Sequence, residues 1–112
     1  MKTSEQYKLV FFVPESHAEV TKAAVFAAGA GRQGDYECCA WQTVGTGQFR
    51  PVAGANPYLG QMGELEQVSE YRIETLVHHA AVPRVVAALK VAHPYEEPAF
   101  ELQLLMSLDA WS

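Results

Sequence analysis

His93-Pro94-Tyr95-Glu96-Glu97-Pro98 gathers an imidazole, a phenol and two carboxylates between two prolines. Proline fixes its own φ and pushes the preceding residue toward an extended backbone, so His93 and Glu97 are both held out of a helix. The corner is stiff, and two chemistries follow from it. Imidazole with carboxylate suits a borderline divalent ion, with His93 and Glu97 as the candidate metal pair. The same residues also suit a structural joint. Tyr95 then anchors the turn by its hydroxyl, while Glu96 and Glu97 cap backbone donors or pair with Arg72 or Arg84, because buried polar turns are normally satisfied locally. Both uses stay open on the sequence alone.

Cys39 joins these residues as a ligand candidate. Its neighbour Cys38 is the only other cysteine, so no disulfide framework is available, and no CxxC or CxxxH spacing suggests zinc. Without an adjacent Lys, Arg or His, Cys39 reads first as a small buried hydrophobe and second as a reactive thiolate. His78 and His79 are adjacent at a strand end, where two imidazoles rarely converge on one ion. Gly45-Thr46-Gly47 reads as a tight turn or bulge whose amides could approach an anion as a nest, but no GxxxxGK[ST] pattern follows. Gly45, Gly47 and Asn56 are the loop candidates. No nucleophile–base pair, HExxH or Gly-rich nucleotide loop appears, so the sequence predicts a non-enzymatic protein.

The elements that must position these groups follow from periodicity. Residues 7–13 (YKLVFFV) form a near-continuous apolar run, as in a central strand. Ser16 and Glu19 have capping-box spacing, and a helix follows with Val20, Ala23, Ala24, Ala27 and Ala28 on one face and Gly29 and Gly31 at its stop. Residues 36–43 read as a second strand. Pro51, Gly54, Pro57, Gly60 and Gly63 then exclude an ordinary helix or long strand from 48 to about 66, giving a long ordered loop. Residues 68–77 alternate, with Tyr71, Ile73, Thr75 and Val77 opposite Glu70, Arg72 and Glu74. A second helix starts near Pro83 and buries Val82, Val85, Val86 and Leu89. It stops near His93, and residues 99–105 make a fourth strand with Phe100, Leu102 and Leu104 opposite Glu101 and Gln103. In the tail, Trp111 is expected to cover a neighbour or an edge.

A sixty-four-residue shift places Tyr7 on Tyr71, Leu9 on Ile73, Val13 on Val77, Ala28 on Ala92 and Gly29 on His93. Two successive strand–helix halves with right-handed crossovers predict an α+β, ferredoxin-like βαββαβ sandwich, a four-stranded antiparallel sheet with both helices on one face. The uncovered face then carries Arg72, Glu74 and Glu101, the subunit-interface candidates, with Arg72 and Glu74 in cross-strand ion pairs.

Length and charge bound the partners. The 112 residues make one domain, 1–112, large enough for a real core. Thirteen acidic against eight basic residues, net −5, disfavour nucleic acid. The apolar run at 9–13 is too short for a membrane span or signal-peptide core, and the chain is read as cytoplasmic.

Taken together, these motifs resemble the YqfO-type domain, the PII/CutA-like module inserted in the dinuclear-metal Nif-type proteins named as GTP cyclohydrolase homologues. The resemblance runs from Tyr7 to about Leu105. It rests on Gly29-Ala30-Gly31, Gly34-Asp35-Tyr36, Cys39, Gly45-Thr46-Gly47-Gln48-Phe49, Pro51, Gly54-Ala55-Asn56-Pro57, Gly60, Gly63, Glu74 and the turn at 93–98. It implies a homotrimer with the polar sheet face toward the threefold axis and clefts between subunits for metal ions or small ligands. That family's two-metal site lies in flanking halves that these residues do not include, so its metal chemistry is not carried over. The resulting expectation is a regulatory module that binds a small ligand or a divalent metal ion. The alternative is an interaction module that docks on or caps a larger Nif-type hydrolase.

Overall fold

The computed structural model describes residues 5–107; the expectation for Trp111 lies outside them. The chain runs β1 (Gln6–Pro14), a 3-10 turn (Glu15–His17), α1 (Ala18–Ala27), β2 (Ala40–Phe49), β3 (Glu66–His78), a second 3-10 turn (His79–Ala81), α2 (Val82–Ala92) and β4 (Phe100–Leu105). All strands pair antiparallel in one sheet of order β2-β3-β1-β4, the ferredoxin-like arrangement.

Alternation along the central strands builds the core. Leu9, Phe11 and Val13 of β1 and Ile73 and Val77 of β3 meet Val25 of α1 and Val85 and Leu89 of α2 in one buried cluster, so both helices cover the same sheet face. The repeat is kept to the residue: each half passes from strand through a three-residue 3-10 turn into a helix, and the turns at 15–17 and 79–81 and the helix starts at 18 and 82 are sixty-four residues apart. Thr21 and Val25 of α1 thus occupy the places of Val85 and Leu89 in α2, and all four are fully buried.

Several local expectations are corrected. The buried face of α1 is Ala18, Thr21 and Val25, while Val20 is 55% exposed and Ala23 and Ala27 are also exposed. A helix this rich in alanine has apolar residues on every side, and the sheet selects among them. Ser16 and Glu19 make no capping box: Ser16 Oγ bonds His17 Nδ1 at 2.8 Å and Glu19 pairs with Lys22 at 2.8 Å. The 3-10 turn feeds directly into α1, with the Ala18 N–H donating to the Glu15 carbonyl.

Strand β2 begins at Ala40, not at 36. Cys38 has φ 59, which breaks an extended run, and Gln33 and Tyr36 pair with each other in a tight turn. Gly45-Thr46-Gly47 is consequently regular strand, facing Glu70, Ser69 and Val68 of β3, and neither a turn nor a bulge. On β4, Phe100 and Leu102 pack against the core as the alternation predicts, but Leu104 is 62% exposed.

Candidate ligand cleft

Helix α2 ends as the two prolines require. Ala92 is its last residue and His93 is extended (φ −70, ψ 136), with its N–H still donating to the Leu89 carbonyl at 2.9 Å. The imidazole turns inward and is 4% exposed. The Tyr95 amide donates to Nδ1 at 3.1 Å, which makes Nδ1 the acceptor and puts the proton on Nε2, and Nε2 donates to the Phe12 carbonyl at 2.6 Å. Burial holds the imidazole's pKa below its ordinary value, against the opposing pull of the Phe12 bond and the Glu70 charge. His93 is therefore pinned as a neutral peg between β1 and the turn.

Tyr95 projects the other way. Its hydroxyl donates to Glu70 Oε2 at 2.8 Å, and its ring lies 6.0 Å from Phe49, 6.2 Å from Tyr58 and 5.0 Å from the His93 ring between centroids. Burial, reinforced by the Glu70 carboxylate, pushes the phenol pKa well above its ordinary value. Glu70 is only 9% exposed, and its carboxylate lies across β2 at Gly47, where a Cβ would collide with the carboxylate oxygens. Glycine in this strand is thus a demand of its neighbour.

The loop at 50–65 supplies the remaining wall. Pro51 is buried and accepts the Gly63 N–H at 2.7 Å, while the Asn56 N–H donates to Glu96 Oε1 at 2.9 Å and so ties the loop to the turn. Tyr58 stands edge-on to His17 at 5.6 Å. Between loop, turn and sheet lies an open cleft of about 290 Å³, lined by Phe12, Phe49, Tyr58 and Tyr95 and by Glu70, Glu96 and Glu97.

The structure thus brings Tyr95, Glu96, Glu97 and the Asn56 segment together and places His93 behind them as their support. Cys39 stays outside the cleft lining: its N–H donates to the Gly31 carbonyl at 2.9 Å and its carbonyl accepts from Thr75 Oγ1 at 2.7 Å. Gly45 lines a neighbouring hollow with Gly47, Glu70 and Arg72. Glu74 takes Lys8 across the sheet at 3.5 Å, the cross-strand ion pair expected of it, whereas for Arg72 the expectation is corrected: its ion pair, to the same Glu74 at 3.4 Å, runs along β3. Residues two apart in a strand share a face, so Arg72 and Glu74 meet on the face that the alternation assigns to both. Glu101 is exposed, opposite Val10.

A divalent ion does not fit the donors of one chain. Both nitrogens of His93 are engaged, so it offers no lone pair to pair with Glu97, and among the described residues no group of three His, Cys, Asp or Glu side chains could hold an ion. His78 and His79 go to separate partners, Gln6 and Tyr7. Sequence reasoning missed Glu70, Phe12, Phe49 and Tyr58. The signal for Glu70 was Gly47, a glycine inside the neighbouring strand, had it been placed in one.

No protein-family model matches the chain. Over 100 residues it is 47% identical to the GTP cyclohydrolase 1 type 2 homolog of Halalkalibacterium halodurans, covering 89% of this chain and 27% of that protein. Among solved structures, a Bacillus cereus protein related to NIF3 superposes with a TM-score of 0.83 at 39% identity, over 96% of this chain and 27% of the other. The chain is homologous to one segment of these NIF3-related proteins. It spans about a quarter of the length of the curated relatives it matches. CutA1 from Shewanella sp. SIB1 shares the fold, with a TM-score of 0.67 at 15% identity over 95% of this chain and 86% of that one. Among the described residues no helix is long and apolar enough to cross a membrane.

Proposed function

We propose that this chain is a non-enzymatic, small-ligand binding module of regulatory type, with the cleft between the turn at 93–98 and the loop at 50–65 as its site. One observation carries the reading. The cleft walls come from segments far apart in the chain, and the loop is held to the turn by the Asn56–Glu96 bond, so an occupant of the cleft bears on both at once. The absence of catalysis is supported by His93, whose nitrogens are both committed, and by Tyr95, whose phenol stays protonated. A metal ion enters this reading only with donors from a second chain.

The assembly proposed is a homotrimer in the cytoplasm, with the open sheet face inward. The Lys8, Glu74 and Arg72 row and the exposed Glu101 on β4 support it as a charged surface suited to pairing between copies. A second reading, docking on a larger hydrolase, is favoured by the relatives' length, since there the matched segment is joined to nearly three times as much chain.

Light scattering tests the assembly: a trimer is expected with or without zinc, and a monomer overturns it. Calorimetric titration with zinc, adenine nucleotides and small organic ions tests the site. One saturating ligand is expected, and silence across the set overturns the binding module in favour of docking.

A further inference from the structure

The charge and walls of the cleft select a class of ligand. We propose that it binds a small organic cation, an ammonium or guanidinium compound that donates N–H bonds to Glu70 while resting on the surrounding rings; this rests on the cleft being a ligand site.

Every charged residue lining the cleft is a carboxylate, and neither Lys nor Arg lines it. At the cleft's inner side, Glu70 is 9% exposed and receives the Tyr95 hydroxyl at one oxygen, yet among the described residues no cation lies within ion-pairing distance of it. A carboxylate taken this far out of water without a counter-charge is unfavourable, and an N–H-bearing cation supplies both charge and hydrogen bonds. The aromatic walls point the same way. A ring face attracts a cation placed within about 6 Å of its centroid, and the rings of Phe49 and Tyr58 cluster with that of Tyr95, at 6.0 and 6.2 Å between centroids, beside the carboxylates of the cleft. The molecule already uses one of these rings so: the Arg72 guanidinium sits 5.6 Å from the Phe12 centroid.

Other ligand classes fit less well. Phosphate-bearing compounds meet three carboxylates and no cation. A hard metal ion wants six or more converging oxygens, where most of this wall is carbon. The volume, about 290 Å³, lies at the small end of ligand pockets and suits a compound of amine size.

The test uses the whole chain, titrated by calorimetry with agmatine, 1,4-diaminobutane, the neutral 1,4-butanediol, zinc and ATP. Amide spectra of Asn56 and Tyr95 locate the binding. Saturation by the amines without the diol is expected, with perturbation of both amides and affinity lowered about tenfold or more by Glu70→Gln. Should Glu70→Gln not fold, the exposed positions Glu97→Gln and Tyr58→Leu carry the test, each lowering affinity about threefold. Equal binding of diol and amines, or unchanged affinity in both of these variants, overturns the proposal. Saturation by zinc or ATP with silent amines also overturns it and leaves the binding module standing, whereas silence of every probe removes both.

Discussion

At the end of α1 the chain reaches Gly29; at the matching point after α2 it reaches His93. Up to there the halves agree in strand, 3-10 turn and helix. Gly29 takes φ 121 and its missing side chain lets the backbone pass Ala81, whose Cβ would lie 3.2 Å from an added one. His93 instead inserts a side chain, bridging the Phe12 carbonyl and the Tyr95 amide. One exit closes the fold by removing atoms and the other by adding a buried polar peg. Only the second aims the residues after it at a cleft, so the asymmetry between duplicated halves coincides with the candidate site.

The sharpest way to break that comparison is His93→Ala, which leaves a buried carbonyl and amide without partners and opens a void. It should cost about 3 kcal/mol in urea unfolding, where a loss under about 1 kcal/mol would deny the peg its role. Gly29→Ala should cost about 2 kcal/mol, from the left-handed backbone and the crowding at Ala81. A near-neutral result would mean the first exit is not set by the glycine. Thr21 sharpens the comparison inside the helices: it occupies the place of Val85, and its buried hydroxyl has no partner among the described residues. Thr21→Val should therefore stabilise the fold by about 1 kcal/mol, read as a raised urea midpoint.

The gentlest effect is on pH. The folded protein holds His93 neutral, with a pKa below the 6.5 of an unperturbed imidazole, so the unfolded chain takes up the proton first as pH falls. This group's contribution is complete above pH 6.5 and declines as pH falls from there through the lowered folded value. Stability of the wild type minus that of His93→Gln, measured from pH 7.5 to 4.5, should shrink in that window. A difference that grows on acidification would show that the folded state protonates His93.

Much of the fold was legible because the repeat is written in residues that face one core. Leu9 and Ile73, Val13 and Val77, and the run into each helix obey the same shift, and a periodic pattern needs no knowledge of distant neighbours. Where a residue's identity is set by something far away in sequence, the reading failed. Gly47 suggested a turn because glycine usually marks one; here it yields space to Glu70, twenty-three positions on. The turn at 93–98 stood out by its density of polar groups between prolines, but the side chain of His93 answers to Phe12, eighty-one positions earlier, and no local pattern encodes that bond. Val20 looked internal only because the alanines around it left the helix without a decisive stripe.

The Asn56–Glu96 bond joins two surface segments through an exposed carboxylate, whereas the His93–Phe12 bond lies inside the fold. The amide proton of Asn56 is then sheltered only while the loop rests on the turn, and its exchange with deuterated solvent times each lifting of the loop. The ring proton of His93 is released only when the sheet and the end of α2 separate. One molecule thus carries two clocks, a fast one at the mouth of the cleft and a slow one behind it, and an occupant of the cleft would retard the first without touching the second.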